Sequence, residues 1–428
     1  MLFFSTNKKS PAVDFRQATI NGQAPDRGLY FPETIPQLPA AFWLTMKDKS
    51  KEEIAFEVIK PYVGNAIADA ELKRIVAETV NFEIPLVQIS ERIFSLELFH
   101  GPTLAFKDVG ARFMSRCLGH FAADGGAITV LVATSGDTGG AVASGFDGVP
   151  GVRVVILYPS GKVSRVQEWQ LTTGGNNILA LEVNGDFDDC QRMVKQAFSD
   201  EALRSEIFLT SANSINVARW LPQQFYYFFA LQQAAFAKPV FSVPSGNFGN
   251  IGAGLLAFRS CLPVSHFIAA CNANDTVPRY LKGEGYHPHA SIATISNAMD
   301  VSDPSNFVRI LELMNHDDER LKSLVSADRI SDDETIATMK EVYRQYGYVL
   351  DPHGAVAYLA LERWLREHPS EYGIFLETAH PVKFPDSVES VLGKPLPIPD
   401  RVSKLQDKPK HSIPIPVSYE RLKEVLLA

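Results

Sequence analysis

Cysteine is scarce in this chain of 428 residues. Cys117, Cys190, Cys261 and Cys271 stand far apart, and no two form a C-x-x-C pair. A disulfide framework and a cysteine zinc site are both disfavoured, and reduced thiols in a cytoplasm are expected. Basic charge is not in excess either. Lys and Arg number 41 against 49 Asp and Glu, a formal net charge of -8, so a general nucleic-acid role is disfavoured. No run of about 18 apolar residues occurs, which predicts no transmembrane helix and no membrane partner. Residues 1–9 carry their charge after their apolar residues, the reverse of a secretory signal. His287-Pro288-His289 is the nearest thing to a metal motif. Its proline blocks a helix and no carboxylate has ligand spacing, so it reads as a solvated loop and no metal is expected.

What is present is ordinary in bulk and specific in detail. The chain is 46% hydrophobic and 21% charged, as in a globular protein of two or three domains. Residues 1–90 read as an α-rich unit, with one helix face at Ile54, Val58, Ile59 and Tyr62 and another at Leu72, Ile75, Val76, Thr79 and Val80. From residue 91 the pattern changes. Apolar runs at 128–133, 152–158, 178–183, 240–243 and 266–271 predict strands buried on both faces. Helical patterns at 109–121, 187–198 and 215–236 lie between them. Such alternation predicts an α/β fold with a mostly parallel sheet covered by helices on both sides, and ligands at the carboxyl ends of strands. The tail from 391 has prolines at 395, 397, 399, 409, 414 and 416. It reads as extended chain lying over the body, ending in a helix over 419–427 capped by Ser418.

Four loops follow predicted strands. Thr134-Ser135-Gly136-Asp137-Thr138-Gly139 offers hydroxyls and bare amides at a helix start, a means of holding a carboxylate or phosphate. Ser245-Gly246-Asn247-Phe248-Gly249 lets backbone amides approach a phosphate closely. It has neither the G-x-x-x-x-G-K-[ST] nor the G-x-G-x-x-G pattern, which argues against triphosphates and dinucleotides. Asn213 and Ser214 read as the start of a helix that carries Arg219 in its second turn, a grip for a second phosphate. Glu377-Thr378-Ala379-His380-Pro381-Val382-Lys383 follows the strand at 374–376. A lone histidine there reads as a structural hydrogen-bonder. Alone, the first of these loops also fits a tight turn capped by Asp137 or Thr138, and the third a helix cap followed by a surface arginine. A last segment, His100-Gly101-Pro102-Thr103-Leu104-Ala105-Phe106-Lys107-Asp108, sets one lysine after an apolar run. An apolar setting disfavours the ammonium, and the neutral amine can attack a carbonyl.

In this order the four motifs at 100–108, 135–139, 245–249 and 377–381 resemble those of the threonine synthase family, in its long bacterial and fungal branch. The resemblance runs over nearly the whole chain and is weakest in the tail. It implies the tryptophan synthase β-like fold of vitamin-B6-dependent enzymes (fold type II): two parallel-sheet α/β lobes, 91–240 and 241–390, after an N-terminal domain, 1–90, and before an extension, 391–428. The cofactor it implies is pyridoxal 5'-phosphate, on Lys107 as a Schiff base. Ser245, Gly246, Asn247, Phe248 and Gly249 would take the cofactor phosphate, and Thr378 the pyridine nitrogen. Asp137 would lie near the cofactor's 3-hydroxyl, where an aspartate repels a phenolate unless one of the two is protonated. Ser135, Gly136 and Thr138 would take the substrate carboxylate and nearby phosphate oxygens. Asn213, Ser214 and Arg219 would complete the site for the phosphate of O-phospho-L-homoserine. The implied reaction gives L-threonine and phosphate, on a cytoplasmic monomer. Another fold type II lyase or dehydratase acting on serine, threonine or a phosphorylated amino acid is the alternative.

Overall fold

Apolar runs buried on both faces build two largely parallel sheets. The computed structural model describes residues 1–123 and 126–428. One sheet has five strands in the order Ser412–Ile415, Ile178–Val183, Val152–Pro159, Ile128–Ala133, Phe208–Ser211. All its pairings are parallel. Every side chain of its Ile128–Ala133 strand is buried, which is why that sequence shows a continuous apolar run rather than alternation. The other sheet has six strands, ordered Val325–Arg329, His266–Cys271, Val240–Pro244, Gly373–Glu377, Ile93–Glu97, Leu86–Gln88. Only the last pairing, of Leu86–Gln88 with Ile93–Glu97, is antiparallel. The stretch 86–97 therefore belongs to the sheet of the 240–377 strands, and the chain crosses to the five-stranded sheet after the Lys107–Ala122 helix. That crossing sets Lys107 between the sheets.

Three expectations differ from the structure. The N-terminal unit holds helices at Lys51–Val63 and Asp69–Thr79, but also a three-stranded antiparallel sheet of Val13–Asp14, Leu2–Ser5 and Tyr30–Pro32. Strands of two to four residues are too short for periodicity to register. The single helix expected over 215–236 is broken into Val217–Trp220, a 3-10 turn Leu221–Gln224, and Phe225–Gln233. Pro222 lies at the break, where it removes a backbone donor and crowds the preceding turn. In the tail, Ser412–Ile415 is extended but pairs as a sheet edge, a position that tolerates Pro414. The Tyr419–Leu427 helix follows, with the Ser418 hydroxyl accepting from Arg421 N at 3.3 Å.

Candidate active site

Residues 98–108 reach the space between the sheets under tight local constraint. Gly101 passes directly over Asp108, where a Cβ would stand 2.4 Å from Oδ2. Asp108 accepts from Thr103 twice, from its N–H at 2.9 Å and its hydroxyl at 2.6 Å. Leu104 sits in the left-handed region at φ 61°, a strained setting for a branched residue that its surroundings must hold. They do so through the loop after Gly373–Glu377. His380 N donates to Leu104 O at 3.0 Å, and Phe106 N donates to Thr378 O at 2.8 Å. The helix begins directly afterwards, with Lys107 as its first residue.

The loops expected to bind anions converge here. Lys107, Ser135, Asp137, Thr138, Asn213, Ser214, Arg219, Gly246, Asn247, Phe248, Gly249 and Thr378 line one cleft of about 1570 Å³. Gly246 leaves no room for a side chain, since a Cβ would stand 2.6 Å from Met299 Cα. Just beyond it the Gly249–Arg259 helix begins, so its amide end opens on the loop. Two expected residues stand behind the lining. Ser245 is buried, and its hydroxyl donates to Val243 O at 2.7 Å and its N–H to Ala270 O at 2.8 Å. Gly136, at φ 134°, packs under the Gln167 side chain, which would lie 2.3 Å from a Cβ. Nor do Asn213 and Ser214 begin a helix. The cap is Asn216, whose side chain accepts from Ala218 N at 2.9 Å, and Arg219 lies in the single turn Val217–Trp220.

Charge around Lys107 is arranged on one carboxylate, that of Asp137. Lys107 Nζ lies 3.9 Å from Asp137 Oδ2. The other oxygen of Asp137 receives Lys383 Nζ at 2.8 Å and Gln167 Nε2 at 2.9 Å. Lys383 is fully buried and also donates to Thr103 O at 2.9 Å. Burial opposes charge on Asp137, but Lys383 and then Lys107 outweigh it and hold the carboxyl well below the usual carboxylate range. Lys107 falls below the ordinary lysine value, because burial and the nearby Lys383 and Arg219 outweigh the pull of Asp137. Arg219 is buried with no carboxylate partner among the described residues; its Nε is unpaired, and burial brings it down to about 10.

Sequence reasoning missed two residues here. Lys383 ends the loop 377–383, yet nothing local shows that its side chain turns inward. His353 also lines the cleft. Its Nδ1 meets Asp351, and its Nε2 accepts from Ala298 N at 3.2 Å, fixing the wall that closes on Gly246. The Asp351-Pro352 helix start was its only signal. His380 is a turn cap, its Nδ1 accepting from Val382 N at 3.1 Å.

Known proteins supply the decisive comparison. A family model described as pyridoxal-phosphate dependent enzyme matches residues 83–374. Models described as threonine synthase N terminus and threonine synthase, C-terminal match residues 2–80 and 354–426. The threonine synthase of Serratia marcescens is 45% identical over 100% of this chain and 99% of its own. The chain belongs to the threonine synthase family. The crystal structure of the Escherichia coli threonine synthase superposes with a TM-score of 0.92 at 43% identity, covering 100% of this chain and 99% of that one. The pyridoxal-phosphate-bound threonine synthase of Brucella melitensis gives 0.94 at 36% identity, with coverage of 100% and 99%.

Membership makes this a fold type II enzyme that uses pyridoxal phosphate. Its own residues fit that group. A mostly buried amine and a glycine cradle at a helix amide end face one cleft. No helix among the described residues is long and apolar enough to cross a membrane.

Proposed function

We propose that Lys107 carries the cofactor through Nζ and, once displaced, moves the protons of the reaction. That reaction converts O-phospho-L-homoserine and water to L-threonine and phosphate. When bound, pyridoxal phosphate supplies an electron sink for the bond broken at the substrate Cα. The observation that carries the reading is the setting of Lys107: a mostly buried amine, 3.9 Å from a carboxylate that Lys383 already engages at 2.8 Å. An amine so placed is neutral more often than an exposed lysine, as a nucleophile and general base requires.

Around it, Gly246, Asn247, Phe248 and Gly249 would hold the cofactor phosphate, and the Thr378 hydroxyl the pyridine nitrogen. Asp137, paired with Lys383, adds little net charge beside a phenolate oxygen, which removes the repulsion an isolated aspartate would cause. Ser135 and Thr138 would orient the substrate carboxylate. Asn213, Ser214 and Arg219 would bind its phosphate and stabilise it as it leaves. The unpaired cysteines fit a reducing cytoplasm.

The test is phosphate and threonine release, followed together, from purified protein with pyridoxal phosphate and O-phospho-L-homoserine. Equal release of both, lost in Lys107→Ala, is the expected result. Persisting turnover in Lys107→Ala overturns the role of Lys107, and phosphate without threonine reduces the protein to an elimination-only lyase.

A further inference from the structure

Arg309 is a fully buried guanidinium with no carboxylate partner among the described residues. A charge buried without a counter-ion is costly and calls for a reason. Its side chain instead donates to four oxygens. Nη1 reaches Asn306 Oδ1 at 2.7 Å and Ser214 O at 3.2 Å. Nη2 reaches Ile215 O at 2.7 Å and Tyr30 O at 3.0 Å. The Trp220 ring centroid lies 4.5 Å from Cζ.

Donor and acceptor inventories then determine what Ser214 can do. A guanidinium only donates, so Asn306 must turn its oxygen to Arg309. Its Nδ2 then donates to Ser214 Oγ, at 3.1 Å. Asn247 is fixed in the same way from the other side. Its Oδ1 accepts from the Ser305 N–H at 2.7 Å, and its Nδ2 donates to Ser214 Oγ at 2.8 Å. The Ser214 hydroxyl has two lone pairs, and two amides fill them. Only its O–H remains, on a residue that lines the cleft.

We propose that Arg309 and Asn306 are positioning residues that make Ser214 an obligate hydrogen-bond donor to the phosphate group of the substrate. This rests on the reading of Asn213, Ser214 and Arg219 as the substrate-phosphate site. A group held this way favours oxygens that only accept, as those of a phosphate dianion do, over water or an amine. The buried positive charge behind it gains a counter-ion when the phosphate arrives. Tyr30 belongs to the N-terminal sheet, so one of the four oxygens that hold Arg309 comes from that unit. The N-terminal unit is thereby joined to substrate recognition.

The test is Asn306→Asp in the cofactor-loaded protein. An aspartate keeps the shape and accepts from Arg309, but it offers Ser214 an acceptor, so the Ser214 O–H turns inward. Cofactor loading, read from visible absorbance, should match wild type. KM for O-phospho-L-homoserine and the Kd for inorganic phosphate, read from thermal stabilisation, should both rise roughly tenfold to a hundredfold. Ser214→Ala should cost a similar amount, and in that background Asn306→Asp should cost clearly less than in wild type, leaving only the effect of its added charge beside Arg309. Arg309→Lys, which keeps a donor to Asn306, should lose less than Arg309→Met. Wild-type phosphate affinity in Asn306→Asp overturns the proposal, as do additive losses or a loss of cofactor loading alone. If wild type is not stabilised by phosphate and Ser214→Ala keeps a wild-type KM, the phosphate-site reading itself fails.

Discussion

At one corner of the cleft two lysines, the mostly buried Lys107 and the fully buried Lys383, share the carboxylate of Asp137. At the other, two buried arginines, Arg219 and Arg309, have only carbonyl and amide oxygens as partners among the described residues. The first corner is largely balanced before any ligand arrives, and its chemistry is the control of one amine. The second keeps its positive charge uncompensated, and its chemistry is the capture of an anion. A residue removed from the first corner should therefore show in folding, whereas one removed from the second should show in binding.

The largest effect expected is on Lys383. Lys383→Met strands Asp137 in the interior, and breaking a buried pair from one side costs about 3–5 kcal/mol. Lys107 can then claim the carboxylate and become more basic. Denaturant unfolding should show the loss, and the ligand-free protein should react more slowly with an aldehyde at neutral pH. Adding Asp137→Asn should recover most of the stability, since no lone charge remains. Equal stability of Lys383→Met and wild type would remove the basis of the comparison.

Arg219→Met should behave in the opposite manner. The ligand-free protein should hold or gain stability, because an uncompensated buried charge is replaced by an apolar chain of similar length. KM for the phosphorylated substrate should rise roughly tenfold to a hundredfold. Stabilisation by inorganic phosphate, about 2.7 kcal/mol at a hundredfold excess over Kd, should shrink with it. A fall in ligand-free stability with an unchanged KM would place Arg219 with the structural corner.

Acid and alkali sharpen the contrast. Asp137 is held below the ordinary aspartate value of 3.8, so as pH falls past that value the unfolded chain takes up a proton before the folded one. Its stabilisation is present above 3.8 and lost as pH falls through the folded value. Asp137→Asn should flatten that limb of a stability–pH curve. Lys107 titrates below 10.5 in the fold, so the unfolded chain holds more protons in that window and stability rises with pH across it. Lys107→Met should flatten that alkaline limb.

The parallel sheets were legible because 128–133 and 266–271 are apolar at nearly every position, as burial on both faces demands. The loops at 134–139, 245–249 and 377–383 were legible because each follows such a strand. Lys383 and Arg309 were not, for a different reason. Lys383 follows a proline turn and Arg309 sits in the short Phe307–Leu313 helix, and both read locally as surface charges. Their burial is set by the Thr103 carbonyl and by the N-terminal Tyr30 carbonyl, some 280 residues away in each case, which no local pattern encodes. The Ser245 hydroxyl illustrates the reverse. Its motif suggested a ligand contact, but the nearest acceptor is its own strand at Val243.

The smallest effect expected is at His380, which lies beside the first corner but takes no part in its charge. Its Nδ1 accepts from Val382 N, and burial lowers the ring to about 4 from 6.5. It is therefore neutral while Lys107 works, and it acts as the cap of the turn that turns Lys383 inward. His380→Ala should lose about 1 kcal/mol, the usual worth of a side-chain cap, and His380→Asn should keep most of it. Between pH 6.5 and about 4 the unfolded chain binds a proton that the folded histidine refuses, so wild-type stability falls as pH falls through that range. His380→Asn should flatten that slope and leave the pH profile of kcat where it was. A shifted kcat profile would mean that the histidine's charge reaches Lys107, and the first corner would then have to be redrawn around three cations rather than two.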